Sequence, residues 1–218
     1  MTVVSVFIGQ PKPGRHDDVM AINDKSRKVL ERHGAKNIRI LVGAVSAAAY
    51  GSVINSSEYD DLEAWGAFYD EVMADDELLT IMHQAMGADT PFLTQSMQYV
   101  TEIPLGRTRG PNGKIVATYV STPVPGRYEA AIAFANQAYD GLERVGARNC
   151  RLFTQQASGV QPELLVSTMD FDNMRAYGKA LEAFLLDPAG QSVIATTQSS
   201  DAPVRAFTSE VYTEALPQ

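Results

Sequence analysis

His83 is the residue whose type best suits acid–base chemistry in this sequence. The chain has three histidines, and an imidazole titrates near neutral pH, so His83 could move a proton to or from a bound molecule. We expect His16 and His33, at the ends of one predicted helix, to be solvated. The single cysteine, Cys150, cannot form a disulfide within the chain. No spacing of His, Cys, Asp and Glu matches a metal site, and no phosphate-binding glycine motif occurs.

Two pairs of aromatic residues could line a pocket for a small molecule. Phe7 lies on the first predicted strand beside Ser5, and Tyr119, a second candidate for catalysis, is its counterpart later in the chain. Trp65, the only tryptophan, corresponds to Tyr177. Such rings can stack on a flat ligand, and the competing interpretation is that they are ordinary packing residues of the core.

Arg39 and Arg151 are the charged residues that most suggest a ligand. Each lies inside a predicted strand with apolar neighbours, where a guanidinium could bind a carboxylate or a phosphate. The alternative is a structural ion pair with an acid such as Glu102 or Glu214 on the last strand of each half, because buried charges need partners.

Composition excludes several classes of function. The formal net charge is -8 and there is no basic run, so we expect no nucleic-acid partner. No stretch approaches the roughly 20 apolar residues of a membrane helix, so no membrane partner is expected either. The first ten residues lack the pattern of a signal peptide, and the sequence predicts a cytoplasmic protein.

An internal repeat positions all of these residues. With a shift of 112 residues, the segment 11–15 (PKPGR) returns as 123–127 (PVPGR), and 30–39 returns as 142–151. By direct comparison, 22 of the 102 pairs formed by residues 3–104 are identical, without a gap. A match that keeps its register over this length indicates two copies of one module.

Each copy has the pattern strand, helix, strand, strand, helix, strand. Asp60 is predicted to cap the second helix, with Glu63 completing a capping box. A proline at 188 interrupts that helix in the second copy. In the first copy the strands are predicted at residues 3–10, 37–46, 51–58 and 94–103, and the helices at 16–33 and 61–74 with a second piece to about 86.

This order predicts an α+β fold of two fused ferredoxin-like β-α-β-β-α-β repeats, residues 1–104 and 114–218, joined by a linker at 105–113. The strands carry apolar residues on both faces, so the face of each sheet without helices should also be buried. Two copies in one chain could achieve this as an internal pseudo-dimeric α/β barrel.

The repeat resembles the dimeric α/β-barrel superfamily over nearly the whole chain. That superfamily includes antibiotic-biosynthesis-type monooxygenases, haem-degrading enzymes, chlorite dismutase-like haem proteins, stress-responsive barrels and NIPSNAP-like proteins. The resemblance implies a ligand between the sheet and the helices of one repeat. It also implies that a haem would need a histidine, either near His83 with an asparagine on the first strand or in the second copy. The first strand has no asparagine and no histidine follows His83, so we expect no cofactor and disfavour haem.

Two hypotheses about function follow. The chain could be a cofactor-independent monooxygenase- or cyclase-like enzyme for an aromatic or polyketide-like substrate, with His83 or Tyr119 transferring protons. It could instead be a non-catalytic barrel that binds a small apolar ligand or another protein. Free sheet edges could also pair two chains into a homo-oligomer.

Overall fold

The computed structural model describes residues 1–45, 50–157 and 164–215, which form eight strands and six helices. The predicted α+β fold of two fused ferredoxin-like repeats is confirmed. The first repeat comprises β1 (Val3–Pro11), α1 (His16–Arg32), β2 (Lys36–Val45), β3 (Val53–Tyr59), α2 (Leu62–Val72), α3 (Asp76–Met86) and β4 (Phe92–Ile103). The second comprises β5 (Ile115–Pro123), α4 (Tyr128–Arg144), β6 (Arg148–Ala157), β7 (Leu165–Phe171), α5 (Met174–Leu186), α6 (Pro188–Gln198) and β8 (Val204–Glu214).

Contacts divide the chain into two compact units. The first unit is Met1–Thr101 together with Glu214–Gln218, and the second unit is Glu102–Thr213. The end of the last strand therefore belongs to the first unit. Among the helices of the described residues, none combines the length and apolar character needed to cross a bilayer.

The sheet of the first unit has the antiparallel order β4-β1-β3-β2. Ser5 lies opposite Ser57, and Phe7 lies opposite Asn55. Alternate residues of a strand share a face, so these side chains form one row on the two central strands. Helices α1, α2 and α3 cover this face.

An aspartate and an asparagine side chain cap the N-termini of the equivalent helices α2 and α5. The cap of α2 is Asp61, whose carboxylate accepts a hydrogen bond from the Ala64 amide at 2.8 Å. The prediction that Asp60 caps α2 is wrong, because Asp60 instead binds the Lys36 ammonium at 2.6 Å. Asn173 caps α5 in the same way as Asp61 caps α2.

The sheet of the second unit has the equivalent strand order β8-β5-β7-β6. Its helices α5 and α6 pack closely. A Cβ atom added at Gly190 of α6 would lie 1.8 Å from the Phe184 carbonyl oxygen of α5. Any side chain at this position would therefore require the two helices to separate. Leu78 stands at the equivalent position of α3 in the first unit, so α3 cannot approach α2 as closely there.

Candidate functional site

A cavity of about 360 Å³ lies between the sheet and the helices of the first unit. This volume falls at the lower end of the range of about 300–1,000 Å³ found for small-molecule pockets. The sheet contributes Ser5, Phe7, Asn55, Ser57, Tyr59, Gln95, Ser96 and Met97. The helices contribute Ile22, Asn23, Ser26, Leu30, Trp65, Phe68, Tyr69, Val72, Met73, Leu78, Ile81, Met82, Ala85 and Met86.

Four sheet residues, Ser5, Asn55, Ser57 and Tyr59, form what we call the polar strip of this cavity. Their exposed fractions are only 6%, 7%, 3% and 5%. The Ser57 and Tyr59 hydroxyl oxygens are 3.0 Å apart and hydrogen-bonded. Burial raises the pKa of Tyr59 to about 12, so the phenol stays neutral at physiological pH and can donate a hydrogen bond.

Asn55 and Ser5 differ from the hydroxyl pair of the polar strip, because neither side chain has a hydrogen bond to another residue in the described part of the chain. A primary amide offers two donors and one acceptor, and leaving them unsatisfied in the interior is costly. Since Asn55 lines the cavity, a bound molecule could supply the missing partner.

Three aromatic side chains of α2, those of Trp65, Phe68 and Tyr69, line the cavity. The ring centroids of Trp65 and Tyr99 are 4.8 Å apart, and those of Trp65 and Tyr69 are 5.8 Å apart. The Phe68 ring packs against the ring of Tyr59 at 4.7 Å. Trp65, Phe68 and Tyr69 thus give the cavity aromatic side chains that a flat apolar ligand could contact.

The structure brings three predicted site residues, Ser5, Phe7 and Trp65, together around the cavity. His83 is exposed on α3 and is not one of the lining residues. Tyr119 and Tyr177 belong to the second unit, where they lie beside each other and burial raises the pKa of Tyr177 to about 12.

Arg39 and Arg151, the other predicted ligand-binding residues, form two-pronged ion pairs. The Nε and Nη2 atoms of Arg39 each lie 3.2 Å from a carboxylate oxygen of Glu214. The corresponding distances from Arg151 to Glu102 are both 3.0 Å. The guanidinium of Arg151 also stacks over the Phe153 ring, 4.7 Å from its centroid. Neither arginine lines the cavity.

Sequence reasoning missed the polar residues Asn55, Ser57 and Tyr59. The signal was present in the repeat, because the residues 112 positions on are Ser167, Met169 and Phe171. A polar side chain in one copy and a less polar one in the other marks a position that the fold alone does not require to be polar.

Asp75 stabilises the N-terminus of α3, the helix that contributes Leu78, Ile81 and Met82 to the cavity. Its carboxylate accepts hydrogen bonds from the Leu78 amide at 3.0 Å and from Arg32 at 2.7 Å, and it lies 2.9 Å from His33 Nε2. Hydrogen bonds from His33, Arg32 and the Leu78 amide hold the pKa of Asp75 well below its usual range.

This lowered pKa predicts a stability that depends on pH. Because the folded pKa is depressed, the contribution of Asp75 is complete above its unfolded pKa of about 4 and is lost as the pH falls toward the folded pKa. In urea unfolding between pH 7 and pH 3, the free energy of unfolding of D75N should lie below that of the wild type at pH 7, and this difference should begin to narrow as the pH falls below about 4. The matched variant is D187N, at the equivalent position of the second repeat. Its free energy of unfolding at pH 7 should differ less from that of the wild type, because Val145 stands where His33 stands in the first repeat. A constant difference between D75N and wild type across this range would contradict the assignment.

Comparison with solved structures confirms the predicted resemblance at the level of the fold. A monooxygenase-like protein from Fusobacterium nucleatum aligns over 98% of this chain and 92% of its own, with a TM-score of 0.64 and 8% identity. An anthrone oxidase-like protein aligns over 99% of this chain and 91% of its own, with a TM-score of 0.67 and 13% identity. A mutant chlorite dismutase from Candidatus Nitrospira defluvii, in complex with cyanide, covers 99% of this chain and 91% of its own at a TM-score of 0.54 and 8% identity.

These structures have the fold of the dimeric α/β-barrel superfamily, and so does this chain. No family model matches the sequence, and no curated protein matches it. The identities are all low, so the likeness establishes the fold and leaves the chemistry to be argued from the cavity.

The expectation that the chain uses no cofactor is contradicted at the level of the fold. A chlorite dismutase, one of the haem-protein classes of this superfamily, aligns over nearly the whole chain, so the fold is compatible with haem. The residues of the cavity do not fit a histidine-ligated haem, because its lining contains no histidine. Within the ranges that the structure describes, no three His, Cys, Asp or Glu side chains are grouped to bind a metal ion.

Proposed function

We propose that the first unit binds a flat aromatic molecule with one polar edge, held between the polar strip and the aromatic side chains of α2. The observation that carries this proposal is the buried amide of Asn55, which faces a largely apolar cavity without a partner of its own. A carbonyl or hydroxyl on the ligand would complete its hydrogen bonding.

The second repeat supports this assignment of the polar strip to a ligand. Three equivalent positions carry Ala117, Met169 and Phe171, and the fourth carries the smaller Ser167. Met169 and Phe171 belong to the buried core of the second unit, each 2% exposed. The same strands therefore form with apolar residues at these positions, so folding does not explain the polar groups of the first copy.

Fluorescence of Trp65 gives a direct test of binding, because it is the only tryptophan and it lines the cavity. We expect emodin, a three-ring phenolic ketone, to quench this fluorescence saturably, and N55A to weaken binding about tenfold, the worth of one buried hydrogen bond. The matched variant S167A, at the equivalent position of the second repeat, should bind as the wild type does. Equal affinities of N55A and wild type would contradict the proposal.

Oxidation of the bound molecule is a second candidate function, favoured by the monooxygenase-like and anthrone oxidase-like neighbours. In such a step a CH₂ group between two aromatic rings loses two hydrogens and gains one oxygen atom from O₂, and the other oxygen atom leaves as water. Anthrone in air-saturated buffer would then give 9,10-anthraquinone, which chromatography detects. If anthrone binds but the quinone forms no faster than without the protein, oxidation is rejected and only the binding function remains.

Three further expectations complete the proposal. The protein acts in the cytoplasm, it has no nucleic-acid partner, and two chains associate into a homodimer. The negative charge of the chain supports the second expectation. Sedimentation of the purified protein tests the third, since a pair of chains would have twice the mass of 23.7 kDa.

A further inference from the structure

Four of the eight methionines in the sequence line the first-unit cavity. We call this set, Met73, Met82, Met86 and Met97, the methionine wall. Met73 and Met82 are partly buried within the core, whereas Met86 and Met97 are 57% and 62% exposed and lie where the cavity opens to solvent. Half of the chain's methionines thus surround one space.

The second repeat has no methionine at the equivalent positions, which carry Leu185, Ile194, Gln198 and Ser209. The helices and the strand form in both copies, so the fold does not require methionine here. The methionine wall is therefore a property of the first copy, as the polar strip is.

The polar strip and the methionine wall differ in how far they can adapt. The polar strip lies on β1 and β3, and each of these strands is hydrogen-bonded to a neighbour on both sides. Methionine has an unbranched side chain with three rotatable bonds and a polarizable sulfur that makes favourable contacts with aromatic rings. A fixed row of hydrogen-bonding groups therefore shares the cavity with four side chains that can change shape, Met97 beside it on the sheet and the other three on the helical side.

From this contrast we infer that the site accepts a series of aromatic molecules of different ring number and outline, all sharing one hydrogen-bonding edge. The polar strip would hold the shared edge in one place, and the methionine wall would repack around the rest of each molecule. This inference rests on the proposed binding function and adds its breadth of specificity. The substrate class is thus two- and three-ring aromatic phenols and ketones.

The test compares three probes of different shape by quenching of Trp65: 2-naphthol, anthrone and emodin. For the wild type we expect dissociation constants within about tenfold of one another, because methionine repacks around each probe at little cost. In M73L/M82L/M86L/M97L the branched leucines suit fewer outlines. In this variant the range of the three dissociation constants should widen to about a hundredfold or more.

A control variant changes the other internal methionines, as M20L/M169L/M174L, and should retain the narrow spread of the wild type. Thermal unfolding checks that the fourfold variant is folded, and the single variants M82L and M97L provide the same comparison if it is not. Two results would overturn the inference and leave the binding function standing. One is a wild-type protein that binds one probe a hundredfold more tightly than the others. The other is an unchanged range of dissociation constants in the leucine variants. Failure of all three probes to bind the wild type would instead reject the binding function itself.

Discussion

The double substitution S57M/Y59F is expected to abolish binding of emodin, with a loss of affinity of a hundredfold or more, while the protein stays folded. It places in the first unit the residues that the second unit has 112 positions on, Met169 and Phe171. The methionine side chain would occupy part of the 360 Å³ cavity, and both hydroxyl groups of the hydrogen-bonded pair would be removed together.

The stability of this variant should equal or exceed that of the wild type. Removing one hydroxyl alone would leave its partner unsatisfied, whereas replacing both by apolar groups is often neutral or stabilising. The new side chain enters a space that is not filled by protein atoms, so the overpacking that normally costs about 1–3 kcal/mol in a dense core should not arise. Loss of binding could then not be attributed to unfolding.

Trp65 quenching measures the affinity, and urea unfolding measures the stability. The reciprocal substitution M169S/F171Y in the second unit is the matched control. It should retain the binding of emodin. It should be less stable than the wild type, because it buries two hydroxyls and leaves space in the core of the second unit, to which Met169 and Phe171 belong. Retention of emodin binding by S57M/Y59F would show that the ligand lies elsewhere, and unfolding of that variant would show that the hydroxyl pair is structural.

The repeat made the fold predictable from the sequence, because every element had to be consistent with two copies. The observed β1, Val3–Pro11, and α1, His16–Arg32, lie within one residue of their predicted bounds. The cap of α2 was misplaced by one residue because Asp60 and Asp61 are adjacent and either carboxylate satisfies the sequence pattern. Only the backbone of the folded chain determines which of them reaches the Ala64 amide.

The cavity could be predicted only in part. Alternation along β1 places Ser5 and Phe7 on one face, and that face is the one that lines the cavity. Whether a space remains between sheet and helices depends on helix separation, which Leu78 and Gly190 influence through contacts distant in sequence. The position of His83 could not be read from its type, because a helix turned by one residue presents a different side chain to the interior.

Arg39 is expected to contribute to stability and not to ligand binding. Its side chain is 10% exposed, and that of its partner Glu214 is 23% exposed. The acid comes from the last strand of the other repeat, and the same exchange occurs for Arg151 and Glu102. Glu214 belongs to the second repeat by sequence but to the first unit by its contacts, and Glu102 shows the reverse. Each ion pair therefore lies within one unit.

We expect R39A to lower the free energy of unfolding by about 2–3 kcal/mol, because it leaves the partly buried Glu214 carboxylate without this two-pronged partner. This is less than the 3–5 kcal/mol typical of a fully buried pair because some solvent reaches both groups. R151A should have a similar effect through Glu102. The affinity for emodin should stay within about twofold of the wild type for both variants, since neither arginine lines the cavity.

The double variant R39M/E214L separates the ion pair from simple loss of packing. Replacing both charges with apolar side chains of similar size is often neutral, so this chain should recover most of the stability that R39A loses. Urea unfolding of the two variants and the wild type measures the recovery. A tenfold loss of emodin affinity in R39A at unchanged stability would instead make Arg39 a ligand-binding residue, because only a direct contact with the bound molecule combines those two results.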